Sequence, residues 1–591
     1  MTKIKLSFIV LILKFFFILF LVSCTETGDK HLCILETTDI HGVILPYDYI
    51  EKEKLNASLA SSFTYIKKIR EEKDVTFLLD NGDNLQGQPE VYYYNFIDTV
   101  STHFLAEVMN YMGYDAGTAG NHDIETGHTV YDRLVKEYNF PLLAANAINI
   151  ESGKTYFKPY YIAVKEGIKV VVFGLITPLI PNWLPDELYA GIEFKDMVET
   201  AKIWMPEILN EKPDLVVGLF HSGWNSSTDD IQKSDYRDED GSVSVAYNVP
   251  GFDIIFTGHD HKIANENFVN IAGDTVLILN GGSKSGNLAQ ANVTFTSKNK
   301  KGKRQKIITG QIVDAEDFEP DPEFITKFTL QHNQISEYVN RVIGSSSANI
   351  SSRDSYFGPS AFVDMIHSIQ LEITGADISF AAPLSFDVQI PKGPITVGDM
   401  FKLYRFENML YTMTLSGEEI QKYLEYSYSR WFNVMKSPVD EMLKLRLGKD
   451  GKPILTNGKA WLQNQAYNFD SAVGIDYSVN ISKPEGARIN IRRLSNGSPF
   501  DKDKIYKVAV NSYRGNGGGG HFTKGVGITN GELRSRLVAS TERDLRYYIL
   551  KSIETNKTIN PEPINNWKVI PEKWVISAIP REYALLFGTE N

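Results

Sequence analysis

Between His31 and about Val313, short apolar runs alternate with longer segments of helical period. Thr76-Phe77-Leu78-Leu79, Val170-Val171-Val172-Phe173 and Leu215-Val216-Val217-Gly218-Leu219-Phe220 read as strands sandwiched between helices, which predicts a layered α/β unit. Around Asp314 to Pro322 the chain turns acidic and gains proline, and Glu323 to Val342 then reads as one polar-faced helix, a linker between two folded units. From Ile343 to about Leu545 strands and helices mix in the second unit, with helices predicted at Ser360–Glu372 and Gly417–Tyr428. Repeated Asn and Pro beyond Tyr547 predict a tail lying along the surface. The expected division is 1–24 (export signal), 30–318 (first domain), 319–345 (linker helix), 346–545 (second domain) and 546–591 (tail).

The start of the chain has a different pattern. Lys3 and Lys5 precede an almost unbroken apolar stretch that closes on Leu21-Val22-Ser23-Cys24, followed by polar Thr25 to Asp29. The Leu-Val-Ser-Cys close resembles a bacterial lipobox, in which Cys24 becomes the lipidated first residue of the mature chain. An uncleaved anchor is the alternative, but Lys14 shortens the apolar run below a span of ~20 residues. Both readings place the body outside the cytoplasm, in the bacterial periplasm or cell envelope, with the membrane as partner through the lipid. Cys33, the only other cysteine, lies in Leu32-Cys33-Ile34-Leu35 and reads as a small buried hydrophobe.

Composition narrows the chemistry. At 591 residues there is ample core for an enzyme of several domains. Two cysteines exclude a disulfide framework and a cysteine-rich zinc or iron–sulfur site, so metal ligands must come from His, Asp and Asn. The net charge of −12, from 61 basic and 73 acidic residues, has the wrong sign for gripping polymeric nucleic acid. A phosphorylated substrate has to be attracted locally.

Five short motifs come directly after apolar runs: Asp39-Ile40-His41, Gly82-Asp83-Asn84, Gly120-Asn121-His122-Asp123, His221-Ser222-Gly223 and Gly258-His259-Asp260-His261. Each opens the loop after a predicted strand, and in a parallel-rich sheet such loops gather at the carboxyl ends, where ligands bind. Asp39 with His41, and His259 with His261, are i and i+2 pairs; an extended backbone points both side chains of a pair the same way, so each pair can grip one ion. Taken singly, a strand-end Asp is most often a helix cap and a buried His a satisfied core residue. Together they supply what two divalent cations about 3.5–4 Å apart need, imidazole and oxygen ligands around a bridging carboxylate, for an in-line displacement at phosphorus.

Thr37-Thr38-Asp39-Ile40-His41-Gly42, Asp80-Asn81-Gly82-Asp83, Gly120-Asn121-His122-Asp123 and Gly258-His259-Asp260-His261, with a second domain behind them, resemble the 5'-nucleotidase family of calcineurin-like metallophosphoesterases. The resemblance implies a four-layer α/β/β/α metal domain and an α+β nucleoside-binding domain joined by a linker helix. It implies one ion on Asp39, His41, Asp83 and His261, and the other on Asp83, Asn121, His221 and His259, with Asp83 bridging. The N/O set leaves Zn, Mn, Co, Ni and Fe open. His122 is implied as the group that stabilises the transition state or protonates the departing oxygen. Family members orient that histidine with an Asp three residues on; here the position is Glu125, with Asp123 nearer in sequence, and either acid can serve.

The second domain separates branches of the family. Thr374 to Phe380 is similar to it, but where 5'-nucleotidases carry an Asn-Gly-Gly-Ile-Arg type segment this chain has Ala381-Ala382-Pro383-Leu384-Ser385-Phe386. That change, with Leu403-Tyr404-Arg405-Phe406-Glu407-Asn408 and Asn511 to Gly520, resembles the 2',3'-cyclic-nucleotide 2'-phosphodiesterase/3'-nucleotidase branch. Phe406 and Tyr513 fall where the family sandwiches the nucleobase, and Asn408 is a candidate partner for base or ribose. The implied function is an exported nucleotide phosphohydrolase of that branch, acting on small nucleotides. A 5'-nucleotidase or nucleotide-sugar hydrolase with the same metals is the near alternative, and a catalytically dead nucleotide-binding surface lipoprotein the distant one.

Overall fold

The computed structural model describes residues 29–73, 75–225, 239–296 and 305–588. The predicted signal and Cys24 lie outside the described residues. No helix among the described residues is long and apolar enough to cross a membrane.

Two six-stranded sheets pack back to back in the first domain. One runs, in spatial order, 306–314, 287–295, 30–37, 75–80, 116–118 and 142–143; the other 263–269, 275–281, 254–257, 215–221, 168–176 and 160–165. The four strands 30–37, 75–80, 116–118 and 142–143 are mutually parallel, as are 168–176, 215–221, 254–257 and 275–281. Strand alternation explains the layering. Leu32 and Ile34 face Val170, Val172 and Val217 between the sheets, whereas Cys33 and Leu35 point outward onto the helices that contribute Ile66, Phe104 and Met109. Val171, Phe173 and Val216 cover the opposite outer face with Val198, Ala201 and Ile208. The result is the α/β/β/α order. Cys33 is fully buried, its thiol pushed up to about 12 by that burial.

The linker differs from the single helix expected. It is two helices, Pro322–Lys327 and Thr329–Asn340, broken at Phe328, which adopts φ −102° and ψ 17°. Phe324, Phe328, Ile335 and Val339 are all buried in the first domain's helical layer. The hydrogen bonds continue through the break, the Phe328 amide donating to Phe324 O and its carbonyl accepting from the His332 amide, each at 3.1 Å.

The second domain is built on a mostly antiparallel sheet ordered 471–473, 378–381, 505–511, 409–416 and 537–544. Helices Ala361–Thr374 and Gly417–Trp431 pack on it, each started by a serine whose side chain accepts the amide three residues on. The stretch expected to lie along the surface is instead structural. Leu545–Asn556 and Glu572–Phe587 are helices whose Ile549, Ile553, Ala578 and Leu586 complete the domain's cores. Fully buried Glu582 accepts the amides of Met442 and Leu443 at 2.5 and 2.8 Å. Asn and Pro between these helices mark the turns that bring the chain back, not a solvated end.

Candidate metal centre and its cleft

The five motifs meet where the carboxyl ends of both parallel sets of strands come together. Their convergence is not that of extended pairs. Asp39, His41, Asp83, His259 and His261 all have left-handed backbone, with φ between 49° and 72°, a conformation costing about 1–3 kcal/mol for a non-glycine residue. The kinks regroup the ligands. Ligand atoms of Asp39, His41 and His261 lie within 4.8 Å of one another, and so do those of Asp83, His221 and His259. His259 and His261 therefore part company, one in each group.

Backbone contacts over-determine these kinks. The Asp39 and His41 amides donate to the carbonyls of Gly82 and Asp83 at 2.9 and 3.0 Å. The His259 amide donates to the Asp39 carboxylate at 3.0 Å. Asp123 spends its carboxylate on four amides, those of Asp83, Asn84, Leu85 and Gly120, at 2.8–3.2 Å. The loops approach so closely that a Cβ on Gly120 would lie 2.2 Å from Asp83 Oδ1, and Gly82, at φ 84°, would meet the Gly120 amide at 2.5 Å.

Two carbonyls settle the imidazole orientation. His41 Nδ1 faces Gln86 O at 3.0 Å and His221 Nδ1 faces Asn81 O at 2.6 Å. With those nitrogens donating, Nε2 of each ring presents its lone pair to the centre, as in metal-bound histidines. His41 Nε2 is 3.0 Å from His261 Nε2, which lies 3.3 Å from Asp39 Oδ1. His221 Nε2 is 3.2 Å from both Asp83 Oδ2 and Asn121 Oδ1. Nitrogen and oxygen donors so arranged fit two divalent first-row cations. The two carboxylates and His41 already carry the charge that a ligand needs, whereas His221 gives up a proton to an entering ion. Burial raises the Asp39 and Asp83 carboxyls, but the surrounding imidazoles outweigh it and hold both below the usual range. Burial lowers His41 to about 4, while Asp83 overcomes burial at His221 and lifts it to about 9.

Of the two acids offered for His122, Glu125 makes the contact: its Oε2 lies 2.5 Å from His122 Nδ1. Asp123 holds the Asp83 loop instead, because its oxygens are occupied by amides. The His122 amide donates to Asp83 Oδ1 at 2.7 Å. Against burial, Asp83 and Glu125 lift the ring to about 10, so it carries a proton.

A chamber of ≈290 Å³ opens on this centre between the domains. Asn121, His122, Glu125 and His259 line one wall; Phe406, Asn408 and Tyr513 line the other. Three lining residues carry no motif that marks them in the sequence. Tyr467 stands edge-on to both of the other rings, 5.9 Å from Phe406 and 6.3 Å from Tyr513. Trp183 stacks on His259 at 5.5 Å and 28°, and Glu239 Oε1 lies 3.0 Å from His259 Nε2. Buried arginines position the aromatic wall. Arg514 pairs with Asp470 at 3.0 Å and donates to the Tyr467 and Gly518 carbonyls. Arg546, in the stretch expected to be tail, donates to the Tyr404 and Arg405 carbonyls just ahead of Phe406.

Back-to-back sheets with a buried N/O donor cluster at their carboxyl ends, opposite an aromatic-lined chamber, define the metallophosphoesterase class of hydrolase. Residues 33–263 match the calcineurin-like phosphoesterase family and residues 342–525 the 5'-nucleotidase C-terminal domain, so the chain belongs to the metallophosphoesterases that carry both. It is 28% identical to the trifunctional nucleotide phosphoesterase protein YfkN of Bacillus subtilis, over 92% of this chain but only 39% of that protein's length. With the 2',3'-cyclic-nucleotide 2'-phosphodiesterase/3'-nucleotidase of Yersinia enterocolitica it shares 25% identity over 93% of this chain and 89% of that one. The fold is that of a Staphylococcus aureus protein solved with alpha-ketoglutarate, at TM-score 0.73 and 20% identity, covering 91% of this chain and all of that one. A 5'-nucleotidase precursor from Thermus thermophilus matches at TM-score 0.59 and 21% identity, over 92% and 99% of the two chains.

Proposed function

We propose that the protein is an exported, lipid-anchored nucleotide phosphohydrolase that opens 2',3'-cyclic nucleotides and removes the 3'-phosphate, releasing nucleoside and phosphate. The observation that carries the substrate choice is the segment Ala381–Phe386, which stands where 5'-nucleotidases have their arginine and whose Leu384 lines the clamp chamber. The likeness to the Yersinia enterocolitica protein, over nearly the full length of both, supports the same reading. Export rests on residues 1–24, with Cys24 as the lipidated residue.

Asp39, His41, Asp83 and His261 would hold one divalent cation and Asp83, Asn121, His221 and His259 the other; such a pair supplies Lewis acidity at the phosphoryl oxygens and a nucleophile at neutral pH. The chain's own groups do the rest. Phe406 and Tyr513 take the base between their rings, a contact worth ~1–3 kcal/mol per base and tolerant of its identity. Asn408 offers a hydrogen bond to base or ribose. His122, protonated and within reach of the centre, delivers its Nε2 proton to the departing ribose oxygen, and Glu125 on Nδ1 keeps the ring aimed and charged. Asp123 fixes the Asp83 loop.

Initial rates of phosphate release from 2',3'-cyclic AMP, 3'-AMP and 5'-AMP, with Mn²⁺ or Co²⁺ present, test this. Preference for the first two supports the reading. Preference for 5'-AMP leaves the metal centre standing and overturns the substrate.

A further inference from the structure

The cleft continues beyond the metal centre. On the side of His41 and His261 a second chamber of ≈390 Å³ opens, and His122, Leu384, Phe406 and Tyr467 line both chambers, forming the partition between them. A nucleoside between Phe406 and Tyr513 with its phosphate at the metal ligands occupies the clamp side, which leaves the far part of the second chamber, around Lys284, Arg446 and Trp461, without an assigned ligand.

Its charge is unlike that of the rest of the molecule. Lys284 from the first domain and Arg405 and Arg446 from the second face it, and no Asp or Glu lines it among the described residues, in a chain of net charge −12. Like charges have been brought together around an open space. Lys284 is also aimed by the metal-centre loops: its amide donates to Asp39 O at 2.7 Å, and Lys284 and Ser285 are consecutive left-handed residues at φ 57° and 54°. Beside the cations, Phe386 and Trp461 stack at 6.1 Å and 22°, with Trp461 44% exposed, an open aromatic face of nucleobase size.

We propose that this chamber is a second nucleotide subsite, for short linear oligonucleotides whose next base lies on Trp461 and Phe386 and whose next phosphodiester rests on Lys284, Arg405 and Arg446. A terminal nucleoside then occupies the clamp, with the scissile phosphodiester at the metal ligands. A water oxygen bonds to phosphorus and the bond from phosphorus to the terminal nucleoside's oxygen breaks. That oxygen leaves as a hydroxyl with the proton from His122, which regains one from the water; the remainder keeps the phosphate. The inference rests on the phosphoesterase reading of the centre. It needs no long polymer, which the net charge disfavours, because one added phosphate meets three local cations.

Comparison of ApA with ApApA tests it, since only the trinucleotide carries a phosphate beyond the scissile one, whichever end sits in the clamp. Expected is a kcat/KM for terminal adenosine release about tenfold higher for ApApA, falling as KCl rises from about 50 to about 200 mM. Arg446→Ala should reduce the ratio to within about twofold, and Arg446→Lys should recover part of it, while 3'-AMP turnover stays at the wild-type rate. Equal rates on ApA and ApApA, or a ratio that Arg446→Ala leaves intact, overturn the subsite. Turnover of 3'-AMP without either oligonucleotide overturns the subsite alone. An Arg446-dependent preference for ApApA without 3'-AMP turnover upholds it and overturns the mononucleotide reading, and inactivity on all three overturns both.

Discussion

On the first-domain wall of the cleft, five candidate ligands sit in left-handed backbone, and loops are packed so tightly that glycine is the only residue that fits at position 120. On the second-domain wall, Phe406, Tyr467 and Tyr513 stand on ordinary backbone, part-exposed, with Tyr467 edge-on to each of the other two. The contrast reflects the different tasks of the two walls. Metal coordination tolerates errors of a few tenths of an ångström, so its side chains are fixed by hydrogen-bonded backbone. Base stacking accepts any flat ring over a range of offsets, so rings on loops held from behind by Arg514 and Arg546 suffice.

The contrast predicts graded sensitivity. Asp83→Ala removes the carboxylate proposed to bridge the two cations. Activity should fall well beyond the ~10–100-fold cost of losing an outer-shell partner, with bound metal dropping in elemental analysis while circular dichroism stays unchanged; near-normal turnover would sink the shared-ligand arrangement. His122→Ala should cost ~10²–10⁴-fold in kcat with little change in KM. Arg514→Ala leaves Asp470 charged and buried, so a loss of ~3–5 kcal/mol in denaturant unfolding is expected. Phe406→Ala should act mainly on KM, by the ~1–3 kcal/mol of one stacking face, and the same loss should appear for purine and pyrimidine substrates; a strong base dependence would show that the wall reads edges instead. The smallest effect is a shift in pH profile. Glu125 is one of the groups that raise His122, so in Glu125→Gln the imidazolium deprotonates earlier, and the alkaline limb of kcat/KM should move to lower pH by about a unit. An unmoved limb would leave Glu125 without influence on the proton.

How much of this was legible in the sequence depended on range. The candidate ligands were readable because each lies within four residues of a strand end, and parallel strands deliver their carboxyl ends to one place. How they pair was not readable from spacing: a left-handed φ at an Asp or His leaves no mark in composition, and it separated His259 from His261. The layered α/β organisation was legible in the apolar runs, its four-layer order only through the family resemblance, and the burial of Cys33 in its apolar neighbours. Tyr467 and Trp183 carried no signal because each is an aromatic outside any motif, whose role exists only through partners 46 and 76 residues away, Tyr513 and His259. The misread tail had the same cause. Asn and Pro between 557 and 571 look like a tail lying along the surface until Ala578 and Leu586 are seen to fill a core otherwise set by residues 356–533.

That closing helix has a consequence for the order in which the protein can fold. The first domain contains all its strands by residue 314 and its linker helices by 340, so it can form while the rest is being synthesised. The second domain keeps its core open until Glu582 reaches the amides of Met442 and Leu443 and Leu586 is in place. A chain halted or clipped near residue 570 would therefore carry a finished metal-binding half beside an exposed apolar interior, a species suited to capture by chaperones and proteases rather than to turnover.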